Sequence, residues 1–155
     1  MKGDGKVIQH LNRLLAGELA AIDQYFIHSR MYQEWGFSKL HAHVEHEMQE
    51  EQTHASSLIQ RILFLEGTPD VVTRAPVNVG RDVEQMLRND LAVEYRVIDD
   101  LKEVMAYCES ARDYETRDIL QVLLKDTEED HTRWLEIQLG LIEKIGLPNY
   151  LQSQM

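Results

Sequence analysis

Glu51-Gln52-Thr53-His54 and Glu128-Glu129-Asp130-His131 each set an acid and an imidazole three residues apart inside a long helical pattern. Positions i and i+3 share one helix face, so a carboxylate oxygen and an imidazole nitrogen can reach one metal ion. Two further helical patterns each carry a lone acid among apolar residues, Glu18 and Glu94. Carboxylates rarely go inside a core uncompensated. Four acids and two histidines on four helices match the ligand set of a di-iron carboxylate centre in a four-helix bundle, and oxygen with imidazole suits iron. An isolated Glu-x-x-His is weak evidence, because acidic helices produce it by chance; the weight lies in the pair together with Glu18 and Glu94.

Apolar spacing predicts four long helices and a short fifth. The first runs from about Asp4 to Trp35, with the stripe Val7, Leu11, Leu14/Leu15, Glu18, Ile22, Tyr25/Phe26 and Ser29; Gly36 stops it and Ser38 is the expected N-cap of the next. The second runs from about Lys39 to Glu66, the third from about Asp82 to Ser110, and the fourth from Asp113, a good N-cap, to Lys144 before Gly146. Leu147 to about Ser153 makes the short fifth, with Leu147, Tyr150 and Leu151 expected against neighbouring copies. Between Gly67 and Gly80 periodicity disappears, and Pro69 and Pro76 exclude a continuous helix. Extended, such a segment reaches about 45 Å, matching the roughly 42 Å of the second helix. It is therefore expected to travel the length of the bundle and deliver the third helix parallel to the second. All 155 residues form one all-α domain.

The fourth helix has a phase problem. Leu135, Gln138, Leu139 and Ile142 continue in phase with Glu128 and His131, whereas Ile119 and Leu123 form their own row, and the step from Leu123 to Glu128 is five. One i→i+5 turn between about Leu120 and Glu128 would absorb the extra residue.

Composition narrows the function classes. Net charge is −11 and no basic stripe is present, which argues against a nucleic-acid partner. Apolar runs are too short to span a bilayer and the N-terminus lacks a signal-peptide core, so a cytoplasmic protein without a membrane partner is expected. Cys108 is the only cysteine and reads as a small buried apolar residue. His10, His28, His41 and His43 read as solvated. His46 and Glu50, one turn apart beside Glu51, form a possible outlying iron site, with an exposed polar face as the equal alternative. Tyr25 and Trp134 lie near the ligand rows and read first as packing aromatics, second as electron donors.

The segments 11–25 (LNRLLAGELAAIDQY), 28–36 (HSRMYQEWG), 61–67 (RILFLEG), 114–118 (YETRD) and 146–154 (GLPNYLQSQ) resemble bacterioferritins over the whole chain. The closer likeness is to bacterial ferritin subunits of the same build that lack the haem ligand. The resemblance implies a ferritin-like fold and a ferroxidase that oxidises Fe(II) with dioxygen or hydrogen peroxide and stores ferric mineral in a hollow shell of 24 subunits. It places the six ligands at Glu18, Glu51, His54, Glu94, Glu128 and His131, with Glu51 and Glu128 bridging a non-haem di-iron pair. It implies as partners a homo-oligomeric shell or one mixed with a haem-binding sister subunit, and a bacterioferritin-associated ferredoxin for iron release. The family's haem-ligating Met position is Gln52 here, so haem b is not expected on a pure assembly; Met48, one turn earlier, is the weaker alternative ligand. Leu58 stands where the family often has Tyr, and the stretch from Asp118 to Glu128 is one residue longer than usual. The rival readings are a di-iron peroxidase and a structural or haem-carrying shell subunit. The absence of a second domain or a Cys-x-x-Cys weighs against the first, and the complete ligand set against the second.

Overall fold

A computed structural model describes residues 1–155. It is helical, without strands: α1 (Gly5–Glu34), α2 (Ser38–Phe64), α3 (Val83–Ser110), α4 (Tyr114–Asp126), a π turn (Thr127–Thr132), α5 (Arg133–Ile145) and α6 (Leu147–Ser153). The segment α4–π–α5 is one continuous rod, so the molecule is a four-helix bundle with a short C-terminal helix.

Local chemistry sets the helix ends. Asp4 accepts from the backbone N–H groups of Lys6 and Val7, Asp82 from Gln85, and Asp113 from Thr116, each quenching orphan donors of a first turn. Ser38 is not the expected cap: it is the first residue of α2, which follows Phe37 with no side-chain cap. Gly36 lies between α1 and α2 at φ +83° and Gly146 between α5 and α6 at φ +82°, a region that residues with a Cβ rarely adopt.

Apolar faces of all four rods meet in one core that includes Leu11, Leu15, Leu58, Ile62, Met86, Leu101 and Leu120. Cys108 lies inside it, fully buried. Tyr150 of α6 is also fully buried, its hydroxyl donating to Oε1 of Gln138 at 2.7 Å, so the tail folds back onto its own bundle. Leu147 and Leu151 of α6 remain only partly covered.

The crossover runs alongside α1. Asn12 donates to the carbonyl of Thr68 at 3.1 Å and accepts from the N–H of Asp70 at 2.8 Å; Ala75 N–H donates to the carbonyl of Ala16 at 3.1 Å. Further on, Asn78 N–H donates to Oε1 of Gln24 at 3.0 Å and Gly80 N–H to Nε2 of His28 at 3.0 Å. This path carries the chain back along the bundle and starts α3 parallel to α2. Its far end is held by a buried network that contradicts the solvated reading of His28, which is fully buried. Because Nε2 of His28 accepts from Gly80, the ring proton sits on Nδ1 and is donated to Oδ1 of Asp90 at 2.8 Å. Gln24 Nε2 donates to the same oxygen at 2.7 Å. The sequence signal was present: His28 is three residues beyond Tyr25, on the apolar stripe.

Candidate metal centre

Five of the six expected ligands converge at the middle of the bundle: Glu18 from α1, Glu51 and His54 from α2, Glu94 from α3 and His131 from the π turn. Each is at most 3% exposed. They make two half-sites, Glu18–Glu51–His54 and Glu51–Glu94–His131, with single ligand atoms of each trio within 4.8 Å of one another and Glu51 common to both. Nδ1 of His54 lies 3.3 Å from Oε2 of Glu51, and Nδ1 of His131 lies 2.7 Å from Oε1 of the same residue. Mid-helix acids reach the centre because each replaces an apolar residue on the inward stripe, so the helix that packs the core also delivers the ligand.

Glu128 does not join them. Its side chain is 40% exposed and pairs with Nζ of Lys102 at 3.1 Å, while buried Thr127 takes the inward position and donates Oγ1 to the carbonyl of Leu123 at 2.8 Å. The cause is the placement of the π turn. A π turn ending before Glu128 would leave Glu128 and His131 at α-helical spacing; the observed turn, Thr127–Thr132, contains both. One inserted residue rotates the chain by about 100°, which carries Glu128 off the face that His131 occupies. The same turn keeps Leu120 and Leu123 upstream and Leu135 and Ile142 downstream on the core.

Charge is balanced in the protein by shared protons. Burial, reinforced by the neighbouring Glu51, pushes Glu18 well above the ordinary carboxylate range. Burial and Glu51 likewise push Glu94 up to about 7, against the opposing pull of His131 and Tyr25, whose hydroxyl donates to Glu94. Burial also disfavours ionised Glu51, but the neighbouring Glu18 carboxyl and the imidazoles of His131 and His54 outweigh it and hold Glu51 well below the usual range. Burial opposes charge on His131 and His54 too; for His131 the carboxylates of Glu47, Glu51 and Glu94, and for His54 those of Glu51 and Asp126, win and raise both imidazoles.

Four atoms facing the centre are buried without a hydrogen-bond partner: Oε2 of Glu18, Oε2 of Glu94, and Nδ1 of His54 and His131. Interior polar atoms are seldom left so, and a pair of cations would satisfy all four. Outside the centre, Nε2 of His54 faces Oδ2 of Asp126 at 3.1 Å and Nε2 of His131 faces Oε2 of Glu50 at 2.7 Å. An outer carboxylate on Nε2 keeps the proton there and leaves Nδ1 for a metal, as metal-binding histidines require. Asp126 carried no motif to mark it.

His46 lies 3.0 Å from Glu50, and is itself mostly exposed. Trp134 stacks on His43 with ring centroids 3.7 Å apart. Gln52 is exposed on the opposite face of α2 from the metal ligands. Met48, the alternative haem ligand, is 7% exposed and packed in the core of its own bundle.

A sequence profile described as a ferritin-like domain matches residues 8–145. The chain is 63% identical over 155 residues to a bacterial ferritin of Synechocystis sp., covering 100% of this chain and 99% of the relative. It is 56% identical over 155 residues to a bacterial ferritin of Neisseria meningitidis, covering 100% of both. A bacterioferritin of Brucella melitensis is 41% identical over 152 residues, covering 98% of this chain and 94% of that one.

Proposed function

The chain belongs to the ferritin family, whose role is iron storage, and on that premise we propose that it is a ferroxidase subunit of an iron-storage shell. The observation that carries this reading is Glu51, shared between two buried trios of ligand atoms at the middle of the bundle. Two Fe(II) ions are the substrate. Glu18 and His54 would serve one, Glu94 and His131 the other, and Glu51 would bridge them.

Each Fe(II) gives up one electron. The pair reduces one dioxygen with two protons to hydrogen peroxide, or one peroxide with two protons to two waters. Holding both reductants side by side makes the two-electron step local. The residues supply the accompanying charge balance: metal binding displaces the protons held on Glu18, Glu94 and His131, so added positive charge replaces positive charge already stored. Tyr25, hydrogen-bonded to Glu94, orients that carboxylate. Glu128 is left out of this set, being paired with Lys102.

Assembly into a closed shell of 24 subunits fits the surface. Leu63, Phe64 and Val122 are each at least half exposed, apolar side chains that neighbouring subunits would cover. Aerobic Fe(II) titration of the apoprotein, followed at the ferric–oxo absorbance beside native mass analysis, tests both parts. Fast oxidation saturating at two irons per subunit in a 24-subunit particle is expected; slow oxidation without a breakpoint would overturn the ferroxidase reading.

A further inference from the structure

Asp90 has one oxygen to spare. Its Oδ1 accepts from Nδ1 of His28 and from Gln24, whereas Oδ2 is buried with no hydrogen-bond partner, in a residue only 1% exposed. His28 is held neutral, since its Nε2 accepts from Gly80, so it offers Asp90 a donor and no charge. Burial pushes the Asp90 carboxyl up, against the pull of His28 and Gln24. Asp90 borders a cavity of about 10 Å³, and Tyr25, Val44 and Glu47 border it too. That is room for roughly one water, which needs two or more polar partners. Tyr25 qualifies: its hydroxyl donates to Glu94 and keeps a lone pair free to accept. Burial raises that hydroxyl, and the carboxylates of Glu94 and Asp90 raise it further, so Asp90 and Tyr25 feel each other across the cavity. Glu47, with neither oxygen hydrogen-bonded, adds a third polar wall.

We propose that one water in this cavity joins Asp90 to Tyr25 and that the three form a proton relay to the metal centre, with Asp90 as its store. The inference rests on the reading of that centre as the place where two Fe(II) are oxidised, and the two separate experimentally. Reduction of one dioxygen there takes two electrons from the irons and two protons; the relay carries one proton and solvent supplies the other. The O–H bond of protonated Asp90 breaks, the water takes that proton and hands one of its own to Tyr25, and Tyr25 passes its hydroxyl proton past Glu94 to the reduced oxygen. Water and Tyr25 end with as many protons as they began with, and Asp90 is left a carboxylate. A proton displaced from the ligands when the next Fe(II) pair binds returns along the same line and reloads it. The surroundings suit a store. Of the groups facing Asp90, which are His28, Gln24, Tyr25 and Tyr32 on α1, Glu47 on α2 and His131 of the π turn, only His131 carries positive charge, and its nitrogens face Glu50 and Glu51. Asp90 touches neither iron nor oxidant and acts through Tyr25.

High-resolution crystallography of the apoprotein, with stopped-flow oxidation of the first two Fe(II) per subunit in H2O and D2O, provides the test. The crystal should show one water within hydrogen-bond distance of Tyr25 Oη and Asp90 Oδ2. Asp90→Asn keeps an acceptor for His28 and Gln24 but has no acid proton to give. It should bind Co(II) within about twofold of the wild type yet oxidise Fe(II) at least about tenfold more slowly, with an altered solvent isotope effect. Val44→Ile adds one methylene to the cavity wall and touches none of these hydrogen bonds; it should expel the water and slow oxidation in the same way. No water at this place in the wild type would overturn the relay, as would wild-type rates in Asp90→Asn or in a Val44→Ile protein that has lost the water. A rate loss matched by an equal loss of Co(II) affinity would also overturn it, leaving Asp90 as an anchor of the crossover. Slow wild-type oxidation without a breakpoint at two irons would instead sink the reading of the centre.

Discussion

His54 and His131 stack across the centre with ring centroids 5.8 Å apart and planes 18° apart, each turning Nδ1 toward Glu51. The two imidazoles come from different helices, α2 and the π turn, yet both are backed on Nε2 by a carboxylate. Glu51 is thus the one acid that faces both nitrogens.

The two acids of the Glu-x-x-His motifs should behave differently. Glu51→Ala removes the residue common to both half-sites and should abolish rapid Fe(II) oxidation, a loss of at least about 100-fold, with the shell intact. Glu128→Ala removes a half-exposed partner of Lys102 and should change the initial rate by less than about tenfold. Stopped-flow oxidation of both variants decides it. Equal and complete loss would mean that the π turn yields and Glu128 enters the centre on metal loading.

The metal-free protein should lose stability as pH rises through neutrality. Glu94 is raised from the ordinary carboxylate value to about 7, first by burial and then by Glu51, so the folded state holds a proton that the unfolded chain releases. Its contribution is complete below the unfolded value near 4.5 and is lost as pH rises through about 7. The raised imidazole of His131 acts in the same direction above its unfolded value. Thermal unfolding of the apoprotein from pH 5 to 8 should show a falling Tm, flattened in Glu94→Gln. Co(II) should bind more tightly across the same interval and release protons. A Tm that rises from pH 5 to 8 in the apoprotein would contradict the proton assignment.

His28 should be a stability residue with no direct part in iron chemistry. It accepts from Gly80 N–H and donates to Asp90, both in the interior. His28→Ala would leave the buried Gly80 N–H without a partner and strip the buried Asp90 of one of its two donors, leaving only Gln24, costing on the order of 2–4 kcal/mol. Denaturant unfolding of dissociated subunits and hydrogen exchange at Gly80 would measure it. Unchanged protection of that amide would show that the crossover is held elsewhere.

Sequence patterning disclosed the bundle because burial imposes a period. Glu18 and Glu94 were legible as acids on apolar stripes, and the segment from Gly67 to Gly80 by its prolines and lost periodicity. Other features depend on relations that no period records. The need for an i→i+5 turn was readable from the step between Leu123 and Glu128; its placement at Thr127–Thr132, which turns Glu128 outward, was not, since several positions absorb the same extra residue equally well. Asp126 behind His54 and Glu50 behind His131 are distant in sequence from the rings they meet. Glu47 belongs to no motif, and its burial beside His43, which stacks on Trp134, is a matter of packing. Met48 was readable in helical phase, but its burial in its own bundle required the packed core.

The resemblance to bacterioferritins puts the haem-ligand position at Gln52. This side chain is exposed and free to meet a partner subunit, but an amide oxygen lacks the soft thioether that holds haem iron axially. Met48, the nearest thioether on α2, is buried among the core residues of its own subunit, and moving it outward would open a cavity costing roughly 2–5 kcal/mol. The homomeric protein should therefore purify without a Soret band even when haem is supplied during expression. Gln52→Met should gain haem, because the substitution adds a ligand at a position that already faces outward. Met48→Leu tests the alternative: it nearly conserves volume and should leave both stability and spectrum unchanged. A bis-thioether haem spectrum from the unmodified homomer that vanishes in Met48→Leu would show that α2 rearranges to present Met48.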